Sequence, residues 1–278
     1  MIGALLAAID TSEFGAKVSD YALFVARVFG SRVHALSVIE TKKIEGPLLR
    51  DYLATVGLEP GLDYKEKVTR FLETKARAIL ADLEARCKEA GVAFESEVTR
   101  GIASRLILER GQRSELIVIG QRGEHGEWHG ESLGGSVQGV VRGSTRPILV
   151  TPKRYRDVAR AVVAYDGSLH ARQALQLAFE ISRRTNLQIT VLSVDGGYAG
   201  VSALRQEIET RVGPNVPNYE VAIRSGDPQR EILEMVEQFD VQLIVMGAYG
   251  HSRIRDLIIG STTEQVLRRS RVPVLLTR

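Results

Sequence analysis

The clearest chemical pattern in the sequence is a set of three glycines and two hydroxyls, Gly247-x-x-Gly250-x9-Gly260-Ser261-Thr262. It follows directly on the apolar run Leu243 to Met246, which reads as a buried strand, and leads into a helical stretch over Thr263 to Arg269. A helix N-terminus presents N–H groups without intrahelical partners and the positive end of the helix dipole, so an anion is stabilised there. Gly247 and Gly250 lack a Cβ, so backbone can approach a ligand closely and adopt positive φ. Ser261 and Thr262 add hydroxyl donors. The chemistry implied is phosphate binding. The spacing is not a Walker A loop, since no Gly-Lys-Ser/Thr follows, and it is not the Gly-x-Gly-x-x-Gly dinucleotide turn. A lone Gly-x-x-Gly would be read as a simple turn. This one carries more weight because it sits after a buried strand and recurs in outline elsewhere.

The recurrence covers most of the chain. GALLAAIDTSEFGAKVSDYALFVARVFGSRVHALSVIE from Gly3 returns as RAVVAYDGSLHARQALQLAFEISRRTNLQITVLSVDGG from Arg160. Asp10 falls on Asp166, Ser12 on Ser168, and Leu36-Ser37-Val38 on Leu192-Ser193-Val194, all at an offset of 156. A second block, from Gly101, matches one from Gly226, and each half closes with an apolar strand after Pro147 or Pro273. Within each half, short apolar runs (Leu5 to Ile9, Leu116 to Ile119, Ala161 to Tyr165) alternate with helical periodicity. Ser12 and Ser168 stand where helix N-caps belong. Such alternation predicts βαβ crossovers and a parallel sheet covered by helices on both faces. The expected units are 1–152 and 158–278, joined near Pro152 to Asp157. The first is longer: Val38 to Gly101 is 63 positions, against 32 from Val194 to Gly226. The extra length includes a charged amphipathic helix over Asp63 to Glu89, expected to pack on the sheet or on the other half; a regulatory lid is the alternative.

The first half departs from the glycine pattern. Counting back from the prolines, Gly134 to Pro147 and Gly260 to Pro273 are both 13 positions. Gly134 therefore matches Gly260, Gly135 replaces Ser261, and Ser136 matches Thr262. Gly120 and Gly123 match Gly247 and Gly250, and the one extra residue lies at or next to Glu124. An added carboxylate beside a phosphate position repels, so weaker or altered binding is expected in this half. The intervening HGEWHGE places His125 and His129 four apart with Glu127 and Glu131 nearby. Gly126 and Gly130 disfavour the helix that would bring both imidazoles to one face. A polar loop without metal is expected, with Trp128 as a loop anchor or partner contact.

Composition narrows the function classes. Of 278 residues 44% are hydrophobic and 26% charged, and Lys plus Arg exceed Asp plus Glu by only 37 to 34. That weak excess carries no electrostatic footprint for nucleic acid. Cys87 is the one cysteine, so neither an intramolecular disulfide nor a thiolate metal site is expected. No apolar run reaches the roughly 18 residues of a membrane helix. The opening MIGALLAAID lacks a basic flank and reads as a strand rather than a signal segment. A soluble, cytoplasmic protein without a membrane or nucleic-acid partner is expected.

Tyr165-Asp166-Gly167-Ser168, Leu192-Ser193-Val194 and Gly247-x-x-Gly250-x9-Gly260-Ser261 together resemble the ATP-binding branch of the universal stress protein family in a tandem two-domain form. The resemblance implies an α/β fold of two Rossmann-like (adenine nucleotide alpha hydrolase-like) units, each a five-stranded parallel sheet of order 3-2-1-4-5. It also implies that the final strands pair across a pseudo-two-fold axis, giving an internal pseudo-dimer that could pair again as a homodimer. Carried onto matching positions, it implies that Asp166 meets the ribose or adenine side, Val194 offers its backbone to the adenine edge, and Met246 and Gly247 lie at the ribose. Gly250, Gly260, Ser261 and Thr262 would then surround the phosphates of ATP or a related adenine nucleotide, with or without Mg. Asp10, Val38, Gly120, Gly123, Gly134, Gly135 and Ser136 would form a weaker second site. The expected function is regulatory nucleotide binding in a stress response. Two competing readings are a slow ATP hydrolase and a scaffold that binds no nucleotide. No general base or carboxylate pair for a metal-bound γ-phosphate stands out; Asp256 and Glu264 read as solvated helix residues.

Overall fold

A computed structural model describes residues 2–40, 62–123, 132–212, 218–248 and 259–278. The first half runs β1 (Ala4–Ala8), α1 (Glu13–Phe29), β2 (Arg32–Glu40), α2 (Leu62–Glu89), β3 (Phe94–Gly101), α3 (Ala103–Gly111), β4 (Leu116–Gly120), α4 (Gly135–Gly143) and β5 (Ile148–Thr151). The second runs β6 (Arg160–Ala164), α5 (Leu169–Thr185), β7 (Gln188–Val194), α6 (Val201–Val212), β8 (Tyr219–Arg224), α7 (Pro228–Gln238), β9 (Leu243–Gly247), α8 (Ser261–Arg269) and β10 (Val274–Thr277). These elements build one ten-stranded sheet of order β3-β2-β1-β4-β5-β10-β9-β6-β7-β8. Each half thus has the expected 3-2-1-4-5 order. All pairings are parallel except β5 with β10, where Val150, Leu149 and Ile148 face Val274, Leu275 and Leu276 antiparallel.

The strands are apolar on both sides because both faces are covered. Along β1, Leu5 and Ala7 point into one core with α1, α2, α5 and α6, while Leu6 points into the other with α3, α4, α7 and α8. The first core runs unbroken through both halves, from Tyr21 and Phe29 to Phe179 and Leu204. Cys87 is a buried, free thiol within it.

The repeat extends to helix ends. Ser12 Oγ accepts from Gly15 N at the start of α1, and Ser168 Oγ accepts from Ala171 N at the start of α5. Both helices close on a left-handed residue, Gly30 at φ 68° and Asn186 at φ 58°, the conformation that ends a helix by turning the backbone aside. The extra helix of the first half is α2, which packs against α1, β2 and β3. Arg86 reaches Asp20 of α1 at 2.8 Å, and Arg100 of β3 reaches Glu73 at 2.6 Å.

The chain reverses direction of travel across the sheet after β3 and again after β8. The switch points therefore lie between β1 and β4, and between β6 and β9. Ligands of open α/β sheets bind just outside the carboxyl ends of strands at such points.

Candidate functional site

Each switch point opens into a cleft. The second is bounded by Ala164 at the end of β6, Tyr165 and Asp166 just after it, Leu192 and Val194 on β7, Pro228 and Ile232 on α7, Met246 and Gly247 on β9, and Gly260 to Thr263 at the start of α8, around about 200 Å³. Seven of the eight residues carried over from the pattern (Asp166, Val194, Met246, Gly247, Gly260, Ser261 and Thr262) thus share one cavity wall. Gly250 lies outside the described residues, as do Asp256 and the segment HGEWHGE. The first cleft, bounded by Asp10, Val38, Gly120, Gly123, Gly134, Gly135 and Ser136 among others, encloses about 420 Å³. The half with the altered pattern therefore has the larger cavity. Ala103 and Ile9 line it where Pro228 and Tyr165 line the second.

Asp166 is held as a turn residue by one carboxylate oxygen, which accepts from Ser168 N at 2.9 Å. Asp10 does the same with Ser12 N at 3.2 Å. The second oxygen of Asp10 lies where a Cβ on Gly123 would fall, 2.8 Å away, so Gly123 is needed for the aspartate to stand against the glycine loop. In both halves the turn fixes the carboxylate at the mouth of the cleft.

Two sequence expectations need correction. Gly247 does not adopt positive φ: it is the last residue of β9 and pairs in extended conformation with Thr277. Its missing Cβ serves packing instead, because a Cβ there would stand 2.8 Å from His170 Cβ and 3.1 Å from the His170 carbonyl carbon on α5. The second correction is the start of α8. The helix begins at Ser261, so Ser261 and Thr262 are its first residues and Gly260, at φ −57° and ψ 141°, is its N-cap. Gly260 gives no side-chain cap, and neither does Gly134 at α4. The leading N–H groups of each helix, which have no intrahelical acceptor, therefore face the clefts without a capping side chain. Ser261 is exposed, Thr262 half-buried and Thr263 buried. Thr263 Oγ1 donates toward Gly247 O (3.3 Å) and Ala248 O (3.2 Å), which ties the helix to the end of β9.

The pattern left several wall residues unread. Tyr165 donates from its hydroxyl to Glu207 Oε1 at 3.0 Å. Burial, followed by the Glu207 carboxylate, raises its pKa well above the ordinary tyrosine range. Burial and the same carboxylate push Tyr198 up to about 12. In the first cleft, Glu40 and Arg122 line the cavity. Ser136 Oγ donates to Glu40 Oε1 at 3.3 Å, and Arg122 Nε is buried without a hydrogen-bond partner among the described residues. The offset could have flagged Glu40, which falls on Gly196; no spacing signal marks Arg122.

The two clefts are mechanically joined. Gln121, next to Gly120, donates through Nε2 to Leu267 O, to Arg268 O at 3.2 Å and to Ser270 O at 3.4 Å, at the far end of α8. Arg278 donates to Ser144 O, and to Arg142 O at 2.9 Å, at the far end of α4. Each of the two helices that start at a cleft is therefore anchored by a side chain from the opposite half. Among the described residues no cluster of three or more His, Cys, Asp or Glu could hold a metal, and no helix is long and apolar enough to cross a membrane.

A model described as the universal stress protein family matches residues 1–152 and 196–278. Universal stress protein Slr1230 of Synechocystis is 26% identical over 287 residues, covering 99% of both chains. Universal stress protein Rv2623 of Mycobacterium tuberculosis is 26% identical, covering 80% of this chain and 81% of its own. The crystal structure of a universal stress protein from Archaeoglobus fulgidus superposes with a TM-score of 0.75 at 25% identity, covering 99% of this chain and 98% of that one.

Proposed function

This chain belongs to the universal stress protein family, and from that premise we propose that it is a tandem adenine-nucleotide-binding protein whose second cleft takes ATP or a related nucleotide. The observation that carries the proposal is the convergence at one switch point of Asp166, the β7 backbone at Val194, and the uncapped start of α8 at Gly260-Ser261-Thr262. Leu192, Val194, Ile232 and Met246 supply an apolar bed for a base. The aspartate, fixed by its own turn, presents an acceptor to a ribose or amino group. The α8 N-terminus supplies donors for phosphate oxygens, as helix starts do. Magnesium would sit on the phosphates rather than on a protein ligand set.

The proposed role is regulatory. A nucleotide that joins α8 to β9 and β7 tightens the wall that Thr263 already ties to Gly247 and Ala248, and that change is available to a protein partner. The proposed units are 1–152 and 158–278 within one internal pseudo-dimer, and a cytoplasmic location belongs to the same reading.

The test is direct. Protein purified, denatured and analysed should release adenine nucleotide. Stripped protein titrated with ATP by calorimetry should bind it. Phosphate release should stay at the solvent background over the same range; turnover that Gly260→Val abolishes with the fold intact would instead make the protein a hydrolase. An absence of adenine-nucleotide affinity in extensively stripped protein would refute the proposal.

A further inference from the structure

The two clefts differ in charge at the position held by Glu40. At the end of β2 the first half has Glu40, whose carboxylate lines the cavity and accepts a hydrogen bond from Ser136 Oγ at 3.3 Å. Ser136 is the second residue of α4, at the helix start where the second half presents Thr262 to its own cavity. The corresponding residue is Gly196, two positions beyond the end of β7, where a Cβ would stand 2.9 Å from the Tyr198 ring and closer still to Ser193 Oγ. The second half thus has no room for a carboxylate there, and the first half has one built in.

We propose that Glu40 acts as an internal anion at the start of α4 and makes the first cleft select an adenine nucleotide with a single phosphate over a polyphosphate. This rests on reading that cleft as an adenine-nucleotide site. Three observations support it together. The Ser136 hydroxyl is already engaged by a carboxylate, so it is not available as a donor to a phosphate chain. A fixed negative charge beside that helix start repels further negative charge, and repulsion between groups a few ångströms apart in a partly buried site is only weakly screened. Arg122, whose Nε is buried without a partner among the described residues, lines the same cavity and can compensate one phosphate. The cavity is large enough, at about 420 Å³, that size is not what turns the longer ligand away. Glu40 is accordingly a specificity-determining residue, and the larger cleft is the more restrictive in charge.

The experiment uses the full chain carrying Gly260→Val, which adds bulk to the wall of the second cleft so that the first is read alone. AMP and ATP are titrated by calorimetry without magnesium, with Glu40, Glu40→Gln and Glu40→Gly compared, and thermal unfolding checks that each variant folds. The Glu40 protein should bind AMP at least about tenfold more tightly than ATP, a difference of about 1.4 kcal/mol. Glu40→Gln, which keeps the shape and loses the charge, should erase most of that preference, and Glu40→Gly should erase or reverse it. Equal affinity for AMP and ATP in the Glu40 protein would overturn the proposal, as would a preference that survives in both variants. If no form of the Gly260→Val protein binds either nucleotide, the first cleft is not a nucleotide site and the proposal fails. ATP binding by the same chain with Gly260 intact would then leave the reading of the second cleft standing.

Discussion

Gly247 and Gly260 look alike in a glycine pattern and do different things. The first is needed because α5 passes against the end of β9; the second lets a helix start without a side chain over its N–H groups. Gly247→Ala should therefore cost stability, about 1–3 kcal/mol as an overpacked contact, visible as a lower urea midpoint. At Gly260 the nearest atoms to an added Cβ are 3.6 Å away and the backbone is one that any residue adopts. Gly260→Val should unfold within a few degrees of the parent and lose nucleotide at the second cleft. Equal stability losses for the two variants would mean that the division of roles is wrong. The glycine spacing was legible in the sequence because it repeats. What each glycine touches was not, since that depends on His170, 77 positions earlier in the chain. The same limit hid Arg122, whose importance comes from a cavity wall built by five separate elements, β1, β2, α3, β4 and α4.

Tyr21 adds a pH dependence that can be read at the same scale. Its hydroxyl donates to Arg154 O and accepts from Arg156 N, each at 3.3 Å, so the joint between the halves is bonded to α1. Burial pushes its pKa up to about 12 from an ordinary value of 10.0. A raised pKa means that the neutral form is favoured by the fold. Its contribution is intact below pH 10 and is lost as pH rises through about 12, on the order of 2 kcal/mol in total. Urea midpoints should fall from pH 10 upward, and Tyr21→Phe should flatten that fall without removing it, because Tyr198 titrates in the same range. An identical pH slope in the variant would contradict the assignment to Tyr21.

Between elements, the informative contacts are those that cross from one half to the other. Gln121 is buried and its amide reaches three carbonyls at the end of α8. Gln121→Leu removes the donor and leaves those carbonyls to find other partners, at a cost of about 1–3 kcal/mol. Because α8 starts at the second cleft, the same variant should weaken ATP there by several-fold although residue 121 lines neither wall of that cleft. Calorimetry on the stripped variant checks this; unchanged affinity would show that α8 is held firmly without its C-terminal anchor. Element types and order were readable from alternating apolar runs, caps and prolines. The sequence places the start of α8 two residues late, at Thr263, because Ser261 and Thr262 read as hydroxyl donors ahead of the helix, whereas Gly260 already holds the N-cap conformation. The cross-half anchors were invisible, since Gln121 and Arg278 carry no local signal and act on residues more than a hundred positions away.

At the scale of the whole molecule, the antiparallel seam of β5 and β10 turns two repeated units into one sheet, and the core beneath α1 and α5 is continuous across it. Arg184 of the second half stacks over Phe29 of the first at 5.1 Å. Thermal unfolding should accordingly be one cooperative transition with calorimetric and van't Hoff enthalpies in agreement. Two resolved transitions would mean that the halves are stable separately. The tandem arrangement itself was plain from the offset of 156. The inequality of the clefts was anticipated for another reason, an inserted residue near Glu124, which lies outside the described residues. The described walls differ at Glu40, at Ile9 and Ala103, and in cavity size.

The central claim is that the second cleft binds an adenine nucleotide at the start of α8. The measurement that tests it most directly is ATP titration by calorimetry into stripped protein, run beside folded Gly260→Val and beside Ser261→Glu. The latter puts a carboxylate at the first residue of α8, where it favours the helix and repels phosphate. Saturable binding by the parent, lost in both variants while their melting temperatures hold, is the predicted result. Binding that persists in both variants, or none in the parent, would contradict the account.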